Sequence, residues 1–343
     1  MESSGQLSLK DAPFTATLSE RRVVITALHI GDGFLLVTSA SGRVYRVDLA
    51  TESVEVLAQV KDVWSLACLD SSVIFGSLNG EIHVLDINNR IRANLNSVKA
   101  HDSTVRCIAI LESGIIVSGS RDSTIRLWTL ECGKIEPRNV LRGHTAEVRN
   151  VQVHGDVIVS GSYDADARVW NAQTGECLHI LHGHGRHVHG LAFDGKRVAT
   201  SSTDGDIRVW DSETGSCTAT LVGHGSKAKN VSHLRLVGDT LISGGSDGSV
   251  RAWPLSPMDV SSKELASSDG NDTAISAIKV QGRHVIAGTT AGSVKIIDRQ
   301  SCEMLHSWTD GTCGIAVFQV GFTLEHCPFA VYLKDESVLV TLF

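Results

Sequence analysis

Histidine, a hydroxyl residue and aspartate recur at similar spacing in this chain, and this combination of side chains can perform nucleophilic catalysis. In each copy the histidine follows a glycine, and a tryptophan closes the set. Three copies are His144, Ser160, Asp164, Trp170; His184, Thr200, Asp204, Trp210; and His224, Ser243, Asp247, Trp253. A catalytic site is normally unique, whereas this set repeats. We therefore interpret it as a structural hydrogen-bonded chain that satisfies buried polar groups, and we predict that the protein is not an enzyme.

Metal and cofactor chemistry is not indicated either. The segment HILHGHGRHVHG (179–190) contains five histidines, but no cysteine or carboxylate stands among them to complete a ligand shell. The glycine-rich stretches precede strands rather than helices, so no phosphate-binding helix start is expected. The eight cysteines form no CxxC pair, which is typical of reduced thiols in a cytosolic or nuclear protein. We expect no metal and no cofactor.

The elements that position these residues are repeats. Four segments align: VSGSRDSTIRLW (117–128), VSGSYDADARVW (159–170), ATSSTDGDIRVW (199–210) and ISGGSDGSVRAW (242–253). Their closing tryptophans are 42, 40 and 43 residues apart. This period, with strand-like alternation inside each unit, is typical of WD40 repeats, each of which forms one four-stranded blade of a β-propeller. In the third unit we predict strands at 105–111, 115–120 and 124–130, and a fourth near 139–141.

Weaker copies extend the series to seven units, and the tail 315–343 alternates like the strands of an eighth. The sequence thus predicts an all-β, eight-bladed WD40 propeller. Phe14–Leu18 would supply the missing fourth strand of the last blade and close the ring, which removes free sheet edges. We expect residues 1–13 to be a flexible N-terminal segment and residues 14–343 to form the propeller domain.

Two positions per blade should face one rim of the ring, namely the second residue of the first strand and the residue before the turn aspartate. In blades two to seven the pairs are Trp64 and Leu78, Arg106 and Arg121, Arg149 and Tyr163, His189 and Thr203, Ser232 and Ser246, and Ser276 and Thr290. Three arginines and no carboxylate stand in these positions, in two neighbouring blades. Ser103 and Thr104 add hydroxyl groups nearby, and Trp64 an apolar wall. Because guanidinium groups bind phosphate oxygens in pairs, the pattern indicates a phosphate pocket. The alternative is that the arginines form rim ion pairs with Asp102, Glu147 or neighbouring loops.

The chain resembles the WD40 propeller of the F-box/WD40 substrate receptors of SCF ubiquitin ligases, the cell-division-control type that binds phosphodegrons. The resemblance spans about residues 23 to 320. It is carried by HDSTVRC (101–107), SGSRDSTIRLW (118–128), GHTAEVRNVQ (143–152) and SGSYDADARVW (160–170), with VITAL (24–28) and VWSLA (63–67) matching the first two blade openings. It implies eight blades and a degron phosphate held by Arg106, Arg121 and Arg149, with Trp64, Thr104 and Tyr163 around it. An F-box would dock the ligase adaptor, and none can be read here, so we expect either a propeller fragment or a propeller-only protein.

The sequence therefore predicts a module that binds phosphorylated Ser/Thr peptides through Arg106, Arg121, Arg149, Trp64, Ser103, Thr104, Tyr163 and His189. Through a missing or separate F-box it would join SCF components in ubiquitin-dependent degradation. His189, when protonated, would make binding pH-sensitive around neutrality. The alternative is a WD40 scaffold that assembles complexes without reading phosphate. The net charge of −7 over 343 residues argues against nucleic-acid or membrane partners, and we expect a nuclear or cytoplasmic location.

Overall fold

In the computed structural model the chain forms eight four-stranded antiparallel sheets, the blades of a propeller. The structure describes residues 14–16, 25–31, 34–39, 41–48, 51, 53–87, 95–131, 133–222, 224, 230–255, 263–266, 274–309, 317–322, 328–334 and 337–342. The predicted flexible segment 1–13 lies outside them. In the described part no helix is long and apolar enough to cross a membrane.

The first four blades use the chain in simple order, each strand pairing with the next. Blade 1 consists of β2 (Ile25–Gly31), β3 (Phe34–Ser39), β4 (Arg43–Asp48) and β5 (Val54–Gln59). Blade 2 consists of β6 (Val63–Leu69), β7 (Ser72–Ser77), β8 (Glu81–Asp86) and β9 (Asn96–Lys99). Blade 3 consists of β10 (Val105–Ile110), β11 (Ile116–Ser120), β12 (Ile125–Glu131) and β13 (Lys134–Leu141). Blade 4 consists of β14 (Val148–His154), β15 (Val157–Ser162), β16 (Ala167–Asn171) and β17 (Cys177–Leu181).

The same order continues around the ring. Blade 5 consists of β18 (Val188–Phe193), β19 (Arg197–Ser202), β20 (Ile207–Asp211) and β21 (Cys217–Leu221). Blade 6 consists of β22 (Val231–Val237), β23 (Thr240–Gly245), β24 (Val250–Pro254) and β25 (Lys263–Ala266). Blade 7 consists of β26 (Ile275–Gln281), β27 (His284–Thr289), β28 (Ser293–Asp298) and β29 (Met304–Thr309). Blade 8 consists of β30 (Val317–Phe322), β31 (Pro328–Lys334), β32 (Ser337–Leu342) and β1 (Phe14–Ala16).

Blade 8 contains both ends of the described chain. Strand β1 pairs antiparallel with β32, with Phe14 opposite Val340 and Ala16 opposite Val338. The prediction that an N-terminal strand completes the last blade is therefore confirmed. The pairing covers an edge of β32 that would otherwise expose unpaired backbone groups.

The core lies between neighbouring blades, because each sheet buries residues on both of its faces. The second strand of blade 3 is buried along its whole length, from Ile116 to Ser120. Val117 of that strand belongs to one hydrophobic cluster with Val148 and Trp170 of blade 4. The glycine of the repeated Ser-Gly-Ser allows this approach, since a Cβ at Gly119 would lie 2.9 Å from a methyl group of Val148.

The repeated His-Asp-Ser/Thr-Trp set is the structural chain that the repeats predict. In blade 4, His144 Nδ1 lies 2.7 Å from Asp164 Oδ2, and His144 Nε2 lies 2.7 Å from Ser160 Oγ. The indole of Trp170 donates to the same hydroxyl oxygen at 2.9 Å. Blade 3 contains a fourth copy that the sequence analysis did not include, made of His101, Asp122, Ser118 and Trp128. Its histidine follows an alanine instead of a glycine, which hid it from the pattern.

Candidate functional site

The two rim positions of each blade are brought together by one backbone feature. In every blade the first strand has a register shift after its first residue, so that the second residue is a β-bulge without a cross-strand partner. A bulge redirects its side chain out of the ordinary strand alternation. Arg106, Arg149, His189 and Trp64 are all bulge residues.

The second rim position is tied to the bulge by a hydrogen bond. The backbone N–H of Arg121 donates to the carbonyl of Thr104 at 3.0 Å, and that of Tyr163 donates to the carbonyl of Glu147 at 2.9 Å. In each case the acceptor is the residue that immediately precedes the first strand. The bond therefore holds both rim side chains of a blade at the same end of the strand.

Two of the three arginines share one carboxylate. Arg106 donates from Nε to Glu147 Oε1, and Arg121 donates from Nε to Glu147 Oε2 at 2.9 Å. The side chain of Arg106 is only 14% exposed, and that of Arg121 is 58% exposed. The rim ion pairs of the alternative interpretation thus exist for these two residues, with Glu147 as the partner. Among the described residues Asp102 makes no ion pair with any of the three arginines.

The third arginine, Arg149, has no acidic partner in the described part of the chain. Its Nε atom is buried and makes no hydrogen bond there. Arg149 nevertheless belongs to the same group, because its charge and that of Arg106 both act on His189 and on the thiol of Cys107. Arg106 and Arg121 thus share Glu147, and Arg149 lies within electrostatic reach of the same neighbours as Arg106. We call this group of three the arginine pocket. Two of its guanidinium groups bind the carboxylate of Glu147, and the third has no acidic partner among the described residues.

His189 borders the arginine pocket in a neutral form. Burial lowers the pKa of this histidine, and the charges of Arg149, Arg106 and His187 lower it further, against the opposing effect of Glu147. Its Nδ1 atom is buried without a hydrogen-bond partner among the described residues. The prediction of pH sensitivity around neutrality needs correction, because the ring of the free protein protonates only below its usual range.

Blade 2 supplies an apolar wall beside the cations. The guanidinium carbon of Arg106 lies 4.8 Å from the ring centroid of Trp64, a cation–π distance. Trp64 is 40% exposed and Leu78, at the other rim position of this blade, is 43% exposed. An apolar group next to a bound anion would rest on these two side chains.

The two predicted hydroxyl donors differ in the structure. Thr104 is buried, and its hydroxyl donates to the carbonyl of Leu78 at 3.1 Å. The prediction that Thr104 offers a donor to a ligand is therefore wrong for this structure, because its hydroxyl proton is already used to link blades 2 and 3. Ser103 is half-buried, and its carbonyl accepts a hydrogen bond from Ser120.

Tyr163 lies on the opposite side of the arginine pocket, in an aromatic group. Its ring centroid is 4.6 Å from that of His187 and 6.1 Å from that of His189. His187 is held by a 2.6 Å contact between its Nδ1 and the carbonyl of Tyr163. Next to it opens a cavity of about 360 Å³ between blades 4 and 5, lined by Tyr163, Asp164, Ala165, Gly185, Arg186, His187 and Thr203.

The sequence analysis missed His187 at this site, and it named Glu147 only as a possible ion-pair partner of the arginines. Both occupy a third rim position, the residue just before the first strand of a blade. Its members in blades 2 to 7 are Asp62, Thr104, Glu147, His187, Asn230 and Ala274. The carbonyl of each accepts the hydrogen bond that ties the rim together. If this third rim position had been included with the other two, the sequence would have placed a carboxylate and an imidazole at the site.

The histidine-rich segment serves packing and hydrogen bonding. His184 belongs to the structural chain of blade 5, His182 Nδ1 lies 2.7 Å from Asp166, and His179 Nε2 lies 2.8 Å from the carbonyl of Glu213. Over the described residues no group of three or more His, Cys, Asp or Glu side chains is arranged to hold a metal ion.

Comparison with known proteins identifies the repeat. The family model "WD domain, G-beta repeat" matches residues 92–129, 135–171, 175–211 and 215–254. The chain is 31% identical to WD repeat-containing protein pop1 of Schizosaccharomyces pombe, over 46% of this chain and 26% of that protein. It is 30% identical to pop2 of the same organism, over 46% of this chain and 27% of that protein. The chain thus spans about a quarter of the length of these curated relatives.

Two further proteins are similar to this chain. Ribosome biogenesis protein YTM1 of Coccidioides immitis is 31% identical over 28% of this chain and 21% of that protein. The crystal structure of the computationally designed Ika8 protein superposes with a TM-score of 0.79 at 28% identity, over 95% of this chain and 98% of the designed one. This chain therefore contains WD40 repeats, and its fold is that of a WD40 β-propeller.

Proposed function

We propose that the chain recognises peptides that carry phosphoserine or phosphothreonine, and that the arginine pocket holds the phosphate. The single observation that supports this proposal is the excess of guanidinium over carboxylate. Arg106, Arg121 and Arg149 together carry three positive charges, and Glu147 supplies one negative charge. A phosphate group brings nearly two negative charges and three acceptor oxygens, which balances the remainder.

Within the described residues, the ion pairs to Glu147 leave the Nη groups of Arg106 and Arg121 without a hydrogen-bond partner. Glu147 accepts only from the Nε atoms of Arg106 and Arg121. Their Nη groups, and the whole guanidinium of Arg149, make no hydrogen bond within the described residues. Paired Nη donors are the part of arginine that bonds two phosphate oxygens at once. Glu147 therefore acts as a positioning residue that orients two guanidinium groups.

The neighbouring surfaces suit a short extended peptide. Trp64 and Leu78 would contact an apolar residue on one side of the phosphate. The cavity beside Tyr163 and His187 would accept a side chain on the other side. A proline after the phosphorylated residue is implied only by the resemblance to phosphodegron receptors.

Calorimetric titration with apolar-phosphothreonine-proline peptides and their unphosphorylated counterparts tests the proposal. Because a hydrogen bond to a charged group contributes roughly 1.5–3 kcal/mol, Arg149→Gln should weaken phosphopeptide binding about ten- to a hundredfold. Lys134→Gln, on an exposed strand of blade 3, is the charge-matched control and should bind like the parent protein. Equal affinity for both peptide forms would exclude phosphate recognition.

A second candidate is a scaffold that binds protein partners without reading phosphate. It is favoured by the exposed apolar pair Trp64 and Leu78, and by the ion pairs that Arg106 and Arg121 already make with Glu147. The name of the relative YTM1 describes ribosome biogenesis, which agrees with an assembly role. For this candidate, partner capture should survive replacement of all three arginines and fail in Trp64→Ser.

The link to an SCF ubiquitin ligase, and the nuclear or cytoplasmic location, stay predictions. The first rests on the resemblance in the arginine pocket and the blade openings. Co-purification of the SCF adaptor with the full-length natural protein would test it. Recovery of the adaptor in amounts no greater than with an unrelated propeller would contradict it.

A further inference from the structure

The cavity of about 360 Å³ between blades 4 and 5 has walls that hydrogen bonds hold in place. His187 Nδ1 donates to the carbonyl of Tyr163 at 2.6 Å, which fixes the loop before blade 5 against blade 4. The backbone N–H of Thr203 donates to the carbonyl of His187 at 3.1 Å. The backbone N–H of Gly185 donates to Asp204 Oδ2 at 3.0 Å. The cavity is therefore present without a ligand, and a ligand does not have to order these loops when it binds.

Small residues leave room in the cavity. Ala165 lines it on the side of blade 4, and Gly185 lines it on the side of blade 5. In the matching loop before blade 4, the residue after the histidine is the larger Thr145. A Cβ atom at Gly185 would have no heavy atom within 4 Å apart from its chain neighbours, and the φ angle of this glycine is not positive. A larger side chain at residue 185 would therefore occupy free space without backbone strain.

Two aromatic rings form one wall of the cavity. The ring centroids of Tyr163 and His187 are 4.6 Å apart, and the ring planes make an angle of 31°. The side chain of His187 is exposed, so a third ring can pack against this pair. Aromatic rings in offset or edge-on packing attract one another beyond the effect of burial alone.

The charges that line the cavity do not select an anion. The side chain of Arg186 is exposed and makes no hydrogen bond or ion pair within the described residues. Asp164 also lines the cavity, and its carboxylate accepts from the backbone N–H of Thr145 at 3.0 Å and of Asp166 at 3.1 Å. The negative charge of Asp164 offsets that of Arg186 and would repel a bound carboxylate. A guanidinium group attracts the face of a neutral aromatic ring as well.

We propose that this cavity is a subsite for an aromatic side chain of the bound partner segment, namely phenylalanine, tyrosine or tryptophan. Its volume of about 360 Å³ accommodates a whole aromatic side chain. Tyr163 borders both this cavity and His189 of the arginine pocket rim, so one extended segment can contact the two sites together. The inference rests on the proposed phosphopeptide function for the identity of that segment, whereas binding of the ring can be measured without phosphate.

Fluorine NMR with para-fluorophenylalanine amide at millimolar concentration tests the cavity directly. We expect the full chain to broaden the fluorine signal, and unlabelled phenylalanine amide to restore the sharp line by competition. Gly185→Leu fills the free space and should reduce the broadening at least by half. Gly185→Ala is the matched control, because it changes the same backbone position, leaves most of the space open and should broaden the signal as the parent protein does.

Phosphothreonine peptides with phenylalanine or alanine at each position on either side of the phosphorylated residue test the subsite in its context. At one position phenylalanine should bind about tenfold tighter than alanine. Gly185→Leu should remove this gain, and Arg186→Gln should lower it about two- to fivefold because the cation above the ring is lost. Arg149→Gln should weaken the binding of both peptides by the same factor, because it acts on the phosphate.

The outcomes separate this subsite from the proposed function. Equal affinity for phosphorylated and unphosphorylated peptides would contradict phosphate recognition, and a fluorine signal that broadens and responds to Gly185→Leu would still support the subsite. The subsite is overturned if the parent protein leaves the fluorine signal sharp, or if Gly185→Leu broadens it as much as Gly185→Ala does. It is also overturned if peptides with glutamate in place of phenylalanine bind more tightly.

Discussion

Among single residues, Glu147 has the largest effect on the charge at the rim of blades 2 to 4. Its side chain is 10% exposed and accepts from Arg106 and Arg121 at the same time. A buried carboxylate between two guanidinium groups fixes their planes, but it also repels an approaching anion. Glu147 therefore has two separable effects on the binding of an anion: it positions the two guanidinium groups, and its negative charge repels the anion.

Replacing Glu147 with Gln separates them. Gln keeps an oxygen acceptor and the shape of the side chain, and it removes the negative charge. Under the proposed function, we expect phosphopeptide affinity to rise several-fold at low salt because the repulsion is gone, with a smaller gain at high salt. Titrations at two salt concentrations would measure this. A loss of affinity in Glu147→Gln would mean that the ionic contact is needed to position the arginines.

Comparison of the repeats identifies only those site residues that differ from the matching positions in other blades. Arg106, Arg121 and Arg149 stand out because they break a pattern that other blades share. Thr104 could not be judged in this way, because its carbonyl and hydroxyl bond to neighbouring backbone groups that only the folded rim brings close. Side-chain direction and partner choice at a bulge are consequences of packing between blades.

Each blade with a complete polar set is stabilised by an ionised aspartate. In blade 6, burial opposes ionisation of Asp247, but the hydrogen bond and charge of His224 and the N–H and hydroxyl of Ser249 outweigh it. The pKa of Asp247 is therefore lowered to about 2. The carboxylate accepts from Ser249 N at 3.1 Å and from its hydroxyl at 2.9 Å.

This shift predicts an acid limit for the blade. Because the folded-state pKa lies below the ordinary value of 3.8, the stabilisation is fully present above pH 4 and is lost as pH falls toward 2. Asp247→Asn should lower the free energy of unfolding at pH 6 by roughly 1–3 kcal/mol, and it should flatten its dependence between pH 4 and 2. Urea unfolding at several pH values measures both. Glu112→Gln, at an exposed turn, is the control, and an equal effect of both substitutions would contradict the assignment.

Strand positions could be predicted where the sequence alternates and ends in a turn. In blade 3 the expected strands 105–111 and 115–120 differ from β10 and β11 by one residue at one end, and the expected strand 124–130 is shifted by one residue from β12. The outer strand was expected near 139–141, whereas β13 runs over Lys134–Leu141. That strand contains Pro137 and mostly exposed residues, so no apolar alternation marks its beginning.

On the scale of the whole molecule, the ring depends on a three-residue strand. Removing residues 1–18 deletes β1 and leaves one edge of β32 open. Each backbone hydrogen bond contributes about 0.5–1.5 kcal/mol, so we expect a loss of roughly 2 kcal/mol and a tendency to aggregate. Removing residues 1–12 keeps β1 and is the matched control. Thermal unfolding and light scattering compare the two truncations, and identical behaviour would show that the strand does not hold the ring closed.

Strand β1 beside β32 has a consequence for how the chain can be cut and rejoined. The two ends of the described chain share one sheet, so a short linker could join them without altering the other seven. New ends could then be opened in a surface turn within another blade. Such circular permutants should fold to the same ring, with the pairing of the two terminal strands moved to the blade that is split.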